Sequence, residues 1–270
     1  MRKFVSIFFI FISLLILTRT AFSQEEFNFD RGYSDYEYSY SLYKKADGEF
    51  QLARNEYLTY KTLSSKEKAI EATKKMLELR DEAVRTYITA LRLKLAQTPG
   101  VDSGERETLF SKIDADVDWY KTHRDGVGSA GTLADLESDS NRAKDHFKDT
   151  ELVIYKALIT ILLGKETDIR DRQLKLVSNI KDKVSEIRQN GDKRTDVAER
   201  WILEAENRIV RSKDKSQSAM NQIGEIRKSD GNKYSSYSRA QFALDESHQY
   251  LKEANSYLAE IVREIKTEDK

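Results

Sequence analysis

The sequence predicts an all-α protein: an elongated antiparallel bundle, or coiled-coil-like array, of about six or seven long helices. Three observations predict this class. Apolar residues recur at helical or heptad spacing through most of the chain. Charged residues make up 34% of the chain while proline occurs once, which is typical of long solvated helices. No segment shows the strict polar and apolar alternation of a strand between turn signals.

Residues 1–23 predict a secretory signal peptide. A basic start, Met1-Arg2-Lys3, precedes the uncharged apolar run 4–17, and Ala21-Phe22-Ser23 forms a small-x-small cleavage site. The apolar run is shorter than the roughly 20 residues of a membrane-spanning helix. We therefore expect cleavage after Ser23 and a secreted or cell-envelope location. Because Arg19 lies close to the cleavage site, an uncleaved signal that anchors the protein in the membrane is the alternative.

Composition excludes several classes of partner. The chain has 46 basic and 46 acidic residues, and three of the basic ones (Arg2, Lys3, Arg19) leave with the signal. The mature chain is therefore slightly acidic, which argues against binding nucleic acid or an anionic membrane surface. The chain has no cysteine, so neither a disulfide nor a lipid anchor at the signal junction is possible.

The N-terminal part of the mature chain predicts a polar aromatic leader over 24–33 and a group of helices over 34–125. A heptad of aromatic residues marks the first helix, roughly 34–63. Ser64-Ser65-Lys66-Glu67 reads as a capping box that begins the second, which Pro99-Gly100 ends. A third, shorter helix is expected over roughly 103–124. The aromatic heptad consists of Tyr36, Tyr43, Phe50 and Tyr57.

A glycine-rich connector, 126–131, separates these helices from long C-terminal helices over 132–270. Gly164 interrupts the first of them, and the sequence leaves open whether one kinked helix crosses it or a tight hairpin forms there. Asn190-Gly191 predicts the end of this helical region. Asp230-Gly231-Asn232 predicts the turn before the last helix.

The segment from Ala53 to Leu95 reads ARNEYLTYKTLSSKEKAIEATKKMLELRDEAVRTYITALRLKL. It resembles uncharacterised secreted long-helix proteins of candidate-phyla bacteria, and the similarity extends more weakly through Trp119 and His123 to the C-terminal helices. This family has no known activity. The resemblance therefore implies export and long helices, and nothing about chemistry.

Motifs that carry chemistry are weak in this chain, and we expect no enzyme activity, no cofactor and no metal site. Residues 126–131 spell G-x-G-x-x-G, but the preceding residues are helical and a dinucleotide site needs a strand there. Aspartates at 114, 116, 118 and 125 imitate an EF-hand loop, but Trp119 stands where the loop requires glycine. The three histidines, His123, His146 and His248, are interpreted as ordinary polar or boundary residues.

One cluster is a candidate site for partner binding. Five tyrosines crowd the start of the first helix, and tyrosine suits surfaces that are half buried and half wet. A core seam is the favoured interpretation, and contact with a partner or a glycan is the alternative. Only Tyr36, Tyr40 and Tyr43 follow helical spacing, so we expect the other two, Tyr33 and Tyr38, to point elsewhere. The cluster comprises Tyr33, Tyr36, Tyr38, Tyr40 and Tyr43.

The most apolar stretch of the mature chain is Leu152 to Leu163, in which Lys156 is the only charged residue. We expect it to be the most buried part of the bundle. The alternative is a surface that becomes exposed when a pore-forming protein changes conformation.

These observations predict an exported, non-catalytic protein that acts through its length and surfaces as an envelope scaffold, a spacer, or a binding or adhesion module. A membrane-active or pore-forming helical protein is the alternative. Its partner is expected to be a protein or another cell-surface component, and the heptad seams make self-association plausible. Contact with a membrane is expected only through an uncleaved signal or under the alternative.

Overall fold

The computed structural model describes residues 28–190, 195–227 and 229–267. Over this part of the chain the protein is all-helical and has no strand, which confirms the predicted fold class. The predicted signal peptide lies outside the described residues. The six helices are α1 (Phe29–Tyr60), α2 (Leu63–Gln97), α3 (Ser103–Val127), α4 (Leu133–Asn190), α5 (Asp196–Gly224) and α6 (Lys233–Thr267).

Helix α1 begins earlier than the sequence indicated, so the last residues of the predicted leader are helical. The side chain of Asn28 accepts a hydrogen bond from the backbone N–H of Arg31, which satisfies one of the free donors of the first turn. At the other end Lys61 adopts the left-handed conformation, with φ 49°. Its N–H bonds to the carbonyl of Tyr57, a common helix stop.

The cap of α2 lies two residues before the predicted capping box at Ser64–Glu67. The Thr62 hydroxyl accepts from the Ser65 N–H at 3.2 Å, and the Ser65 hydroxyl accepts from the Thr62 N–H at 3.1 Å. Because Lys61 reverses the chain, Thr62 is the extended residue and becomes the N-cap. The predicted end of α2 before Pro99-Gly100 agrees with its last residue, Gln97.

Helix α4 is continuous across Gly164, so the hairpin alternative does not occur. With 58 residues it is about 87 Å long at 1.5 Å per residue. The connection between α2 and α3 lies directly against it here. A Cβ atom at Gly164 would lie 2.4 Å from Cγ2 of Val101 and 2.8 Å from the carbonyl oxygen of Pro99. The glycine therefore permits close packing.

Helix α4 joins two groups of helices. Its first half packs with α2 and α3, and its second half packs with α5 and α6, while the backbone of α1 lies next to α2 alone. Helices adjacent in sequence run antiparallel, as the pairs Glu49–Lys75 and Glu56–Lys68 between α1 and α2 illustrate. In the described part of the chain no helix is both long and apolar enough to cross a membrane.

The apolar run Leu152 to Leu163 lies where these two groups meet. Ile154, Ala157 and Ile161 pack into the core with α2 and α3. Ile159, on the other side, packs into the core with α5 and α6. A helix that is covered on two sides needs apolar residues around most of its circumference, which explains the composition of the run. The run is therefore buried or half-buried at every position, but it is not the most buried part of the bundle, because residues 80–91 of α2 are buried at least as much.

Candidate interaction surface

Four of the five predicted tyrosines form a continuous aromatic ladder along α1, together with Phe29. Ring centroids of successive members lie 5.6, 5.8, 5.8 and 6.2 Å apart. The spacing along the chain alternates between four and three residues, so each ring lies next to the one a turn away. We refer to Phe29, Tyr33, Tyr36, Tyr40 and Tyr43 as the tyrosine ladder.

The ladder is attached to α2 along one edge and open along the other. The ring of Tyr36 packs on that of Tyr87 with centroids 5.0 Å apart. Burial raises the pKa of Tyr36 and also that of Tyr43. Tyr33 and Tyr40 remain 41% and 42% exposed. The ladder therefore combines a fixed position with wet aromatic surface, the arrangement that favours contact with a partner.

Two expectations about orientation have different outcomes. Tyr38 points away from the ladder and is 67% exposed, as the spacing indicated. Tyr33 does not: it lies between Phe29 and Tyr36 in the ladder. The prediction for Tyr33 was wrong because α1 begins at Phe29, so position 33 already has helical geometry.

Two separate apolar sections of a groove lie beside the ladder, each with α2 as its floor and α1 and α4 as its walls. One section, of about 180 Å³, lies between Tyr36, Tyr40 and Tyr43 of the ladder and Phe147 of α4. A second section, of about 340 Å³, lies between Tyr57 and Leu58 of α1 and Leu133 of α4. We call the two sections together the α1–α4 groove. Phe147 and Leu58 are 41% and 51% exposed, so the walls present apolar surface to solvent.

The structure also brings together polar residues that the sequence interpretation left separate. The imidazoles of His123 and His146 both stack on the indole of Trp119, with centroid distances of 4.8 and 3.8 Å. Each imidazole faces a carboxylate: Nδ1 of His123 lies 2.5 Å from Asp81, and Nε2 of His146 lies 2.8 Å from Asp116. The two histidines, one buried and one partly exposed, therefore each pair with a carboxylate in a layer shared by α2, α3 and α4.

Burial decides what this layer can do. The side chain of His123 is 2% exposed and that of Asp81 is 0% exposed, so no substrate can touch either. Burial raises the pKa of Asp116, against the attraction of His146. The layer has the components of general acid–base catalysis, yet its geometry fits a role in fixing the register of three helices.

A second polar layer joins α4, α5 and α6. Nη2 of Arg170 donates to Ser216 at 2.7 Å and to Ser212 at 3.3 Å. The hydroxyl of Ser247 lies 3.0 Å from that of Ser216 and donates to Glu166 at 3.2 Å. The third histidine, His248, belongs here, with Nδ1 3.0 Å from Glu166. All three histidines thus pair with a carboxylate, which their separation in the sequence conceals.

The aspartate motif falls on a helix, as expected, and the glycine-rich segment falls partly on a helix and partly in the connector that was expected there. Residues 114, 116 and 118 lie along α3, where a calcium loop cannot form. Helix α3 extends through Val127, so the G-x-G-x-x-G segment begins inside a helix and is followed by α4. Among the described residues, no group of three or more histidine, aspartate or glutamate side chains could hold a metal ion.

Comparisons with known proteins add no assignment: no family model, curated protein or solved structure matches the chain.

Proposed function

We propose that this chain is an exported, non-catalytic scaffold and protein-binding module of the cell envelope, whose partner binds along the tyrosine ladder and the α1–α4 groove. The observation that carries the proposal is the open side of α1. Helices α1 and α4 both lie on α2, but their backbones do not meet, so an aromatic and aliphatic channel stays uncovered between them.

The dimensions of the groove favour a helical segment of a partner protein. Its two sections extend along α4 from Leu133 to Ile154, about 30 Å at the helical rise. Grooves of this kind bind the apolar face of an amphipathic helix, and aromatic side chains contribute much of the binding energy. The length of α4 also suits a protein that separates or organises other components.

The structure gives the membrane-active alternative little support. That alternative rested on Leu152 to Leu163, and the apolar side chains of this run pack in the core between two groups of helices. Exposing them requires the two groups to separate. The purified mature protein is expected neither to float with liposomes nor to release a trapped dye.

Capture from envelope extract tests the binding proposal, with the mature protein as bait. The test variant is Tyr33→Ser with Tyr40→Ser, which removes the two most exposed rings of the ladder. The matched control is Tyr38→Ser, on the same helix but outside the ladder. We expect the test variant to lose a partner that the control and the unaltered protein both retain. Equal capture by all three baits, with unchanged circular dichroism, would overturn the proposed role of the ladder.

Export is tested separately by N-terminal sequencing of the protein from the envelope or extracellular fraction. We expect Gln24 as the first residue. An intact Met1 in a membrane fraction would replace cleavage with the anchor alternative, and recovery from the cytoplasm alone would overturn export.

A further inference from the structure

A cleft lies beside α4, between α5 and the connection that joins α2 to α3. Its volume is about 660 Å³, within the range of roughly 300–1,000 Å³ that is typical of small-molecule sites. Gly100 and Gly164, where the connection packs on α4, form part of its wall. The close packing at these glycines gives the cleft a rigid end.

A buried arginine lines this cleft, and among the described residues it forms no salt bridge with a carboxylate. Arg170 is 8% exposed, and its Nη2 donates to two neutral hydroxyls, those of Ser212 and Ser216. Its Nε is buried and has no hydrogen-bond partner in the part of the chain that the structure describes. Burial lowers the pKa of Arg170, because the charged form is deprived of water. Buried cations are ordinarily neutralised by an anion, so this guanidinium favours an anionic ligand.

Two further cations line the same cleft. Lys156 of α4 and Lys213 of α5 both contribute to the wall, and neither forms a salt bridge with a described carboxylate. Of the two acids in the lining, Asp102 already accepts a hydrogen bond from the backbone N–H of Glu105 as the cap of α3. Cations thus outnumber carboxylates in the lining.

The remaining wall is apolar. Leu163 of α4 and Met220 and Ile223 of α5 line the cleft beside the cations. Met220 is 50% exposed, although methionine is ordinarily a buried residue. An inorganic anion would leave this surface uncovered, whereas a ligand with an aliphatic body would cover it.

We propose that the cleft binds a small organic carboxylate, with its charged group near Arg170 and Lys213 and its apolar body against Met220 and Ile223. The planar guanidinium matches the geometry of a carboxylate. The competing explanation is purely structural: Arg170 and Glu166 would balance each other through the serine hydroxyls that lie between them. A binding measurement distinguishes the two explanations, because only the first requires the cleft to be occupied.

Isothermal titration calorimetry of the mature protein with octanoate, at low ionic strength, tests the proposal. Inorganic phosphate and 1-octanol are the comparison probes. We expect octanoate to bind, and Lys213→Gln and Arg170→Gln each to weaken its binding at least tenfold. Lys213 is exposed, so its variant remains informative if Arg170→Gln fails to fold. The matched control is Lys175→Gln, an exposed lysine of α4 outside the cleft.

Four outcomes would overturn the proposal. They are absence of octanoate binding, unchanged binding by Lys213→Gln, binding of 1-octanol as tight as that of octanoate, and equally tight binding of phosphate. Equally tight binding of 1-octanol would show that the cleft does not recognise the charged group. Equally tight binding of phosphate would show that it does not recognise the apolar body. The test does not depend on the tyrosine ladder, so it succeeds or fails independently of the capture experiment.

Discussion

Nδ1 of His123 lies 2.5 Å from Oδ2 of Asp81, joining α3 to α2 at a point where neither side chain reaches solvent. The other carboxylate oxygen of Asp81 accepts from Nε and Nη2 of Arg80, at 3.3 and 3.2 Å. Both oxygens of a fully buried acid are therefore satisfied. Such an arrangement is costly to disrupt, because a partner left behind retains its desolvation cost.

Replacing Asp81 with alanine is expected to destabilise the protein by about 3–5 kcal/mol, the range for breaking a buried ion pair. The control is Asp114→Ala, because Asp114 also bridges α2 and α3 through Arg92 but is 52% exposed. Its loss is expected to stay below about 1 kcal/mol. Urea unfolding followed by circular dichroism measures both. Similar losses for the two variants would contradict the buried pair as a stabilising contact.

We expect Tyr120 to make the stability of the protein depend on pH in the alkaline range. Burial raises its pKa to about 12, and its hydroxyl donates to Thr150 at 3.4 Å. Because the folded pKa lies above that of the unfolded chain, its contribution is complete below pH 10 and is lost as the pH rises through the folded value. Relative to Tyr120→Phe, the unaltered protein should lose up to about 2–3 kcal/mol across this window.

The comparison for Tyr120 consists of denaturant unfolding of both proteins between pH 9 and 11.5. At pH 9 the Tyr120→Phe variant should be less stable than the unaltered protein by about 1 kcal/mol or less, the value of one hydrogen bond. A free-energy difference that does not change with pH would show that the phenol is not desolvated in the folded protein.

Two glycine-to-alanine substitutions are expected to have opposite effects. Alanine favours a helix interior by about 0.5–1 kcal/mol. At Gly48 of α1 a new Cβ meets nothing within 4 Å, so the variant should be stabilised by that amount. At Gly164 the new Cβ would lie 2.4 Å from Val101, so the variant should be destabilised by about 1–3 kcal/mol. Thermal unfolding of both variants is the measurement, and stabilisation at Gly164 would contradict the close approach.

We expect Glu82 to make stability depend on pH in the acid range, where its contribution is lost as the pH falls and not as it rises. The hydrogen bond from Arg85, together with Arg124 of α3, lowers the pKa of this carboxyl against the effect of burial. Its stabilisation is therefore present above the ordinary glutamate pKa and is lost as the pH falls through the lowered folded value. Glu82→Gln should cost up to about 1 kcal/mol at pH 7, since the group is partly exposed. Unfolding at pH 7, 4 and 3 should show this difference shrinking, and a constant difference would refute the attribution.

Much of the local structure could be predicted from the sequence, because helical periodicity and helix ends are encoded by residues close together in the chain. Three predicted features agree with the structure: the heptad from Tyr36 to Tyr57 lies within α1, α2 ends before Pro99, and α4 ends at Asn190. The errors concern the ends that depend on backbone conformation. Lys61 adopts a left-handed conformation that is uncommon for lysine and could not be predicted from its residue type. As a result the N-cap of α2 is Thr62.

The candidate sites could be predicted only in part, because spacing along one helix is visible in the sequence and the packing of separate helices is not. The tyrosine ladder repeats every three or four residues, so most of it was visible as a pattern. The groove beside it was not, because it depends on α1 and α4 lying on the same helix without their backbones meeting. A signal for the histidine layer does exist: Trp119 and His123 are four residues apart and therefore share a helix face.

The sequence alone determined the all-helical class, the approximate lengths of the helices and the burial of Leu152 to Leu163, since each follows from local spacing and total apolar content. Only the tertiary structure decided which helices are neighbours. That choice pairs Asp81 with His123, 42 residues apart, and Arg170 with Ser216, 46 residues apart. Contacts at such separations depend on how whole helix faces pack, and a one-dimensional pattern does not contain that information.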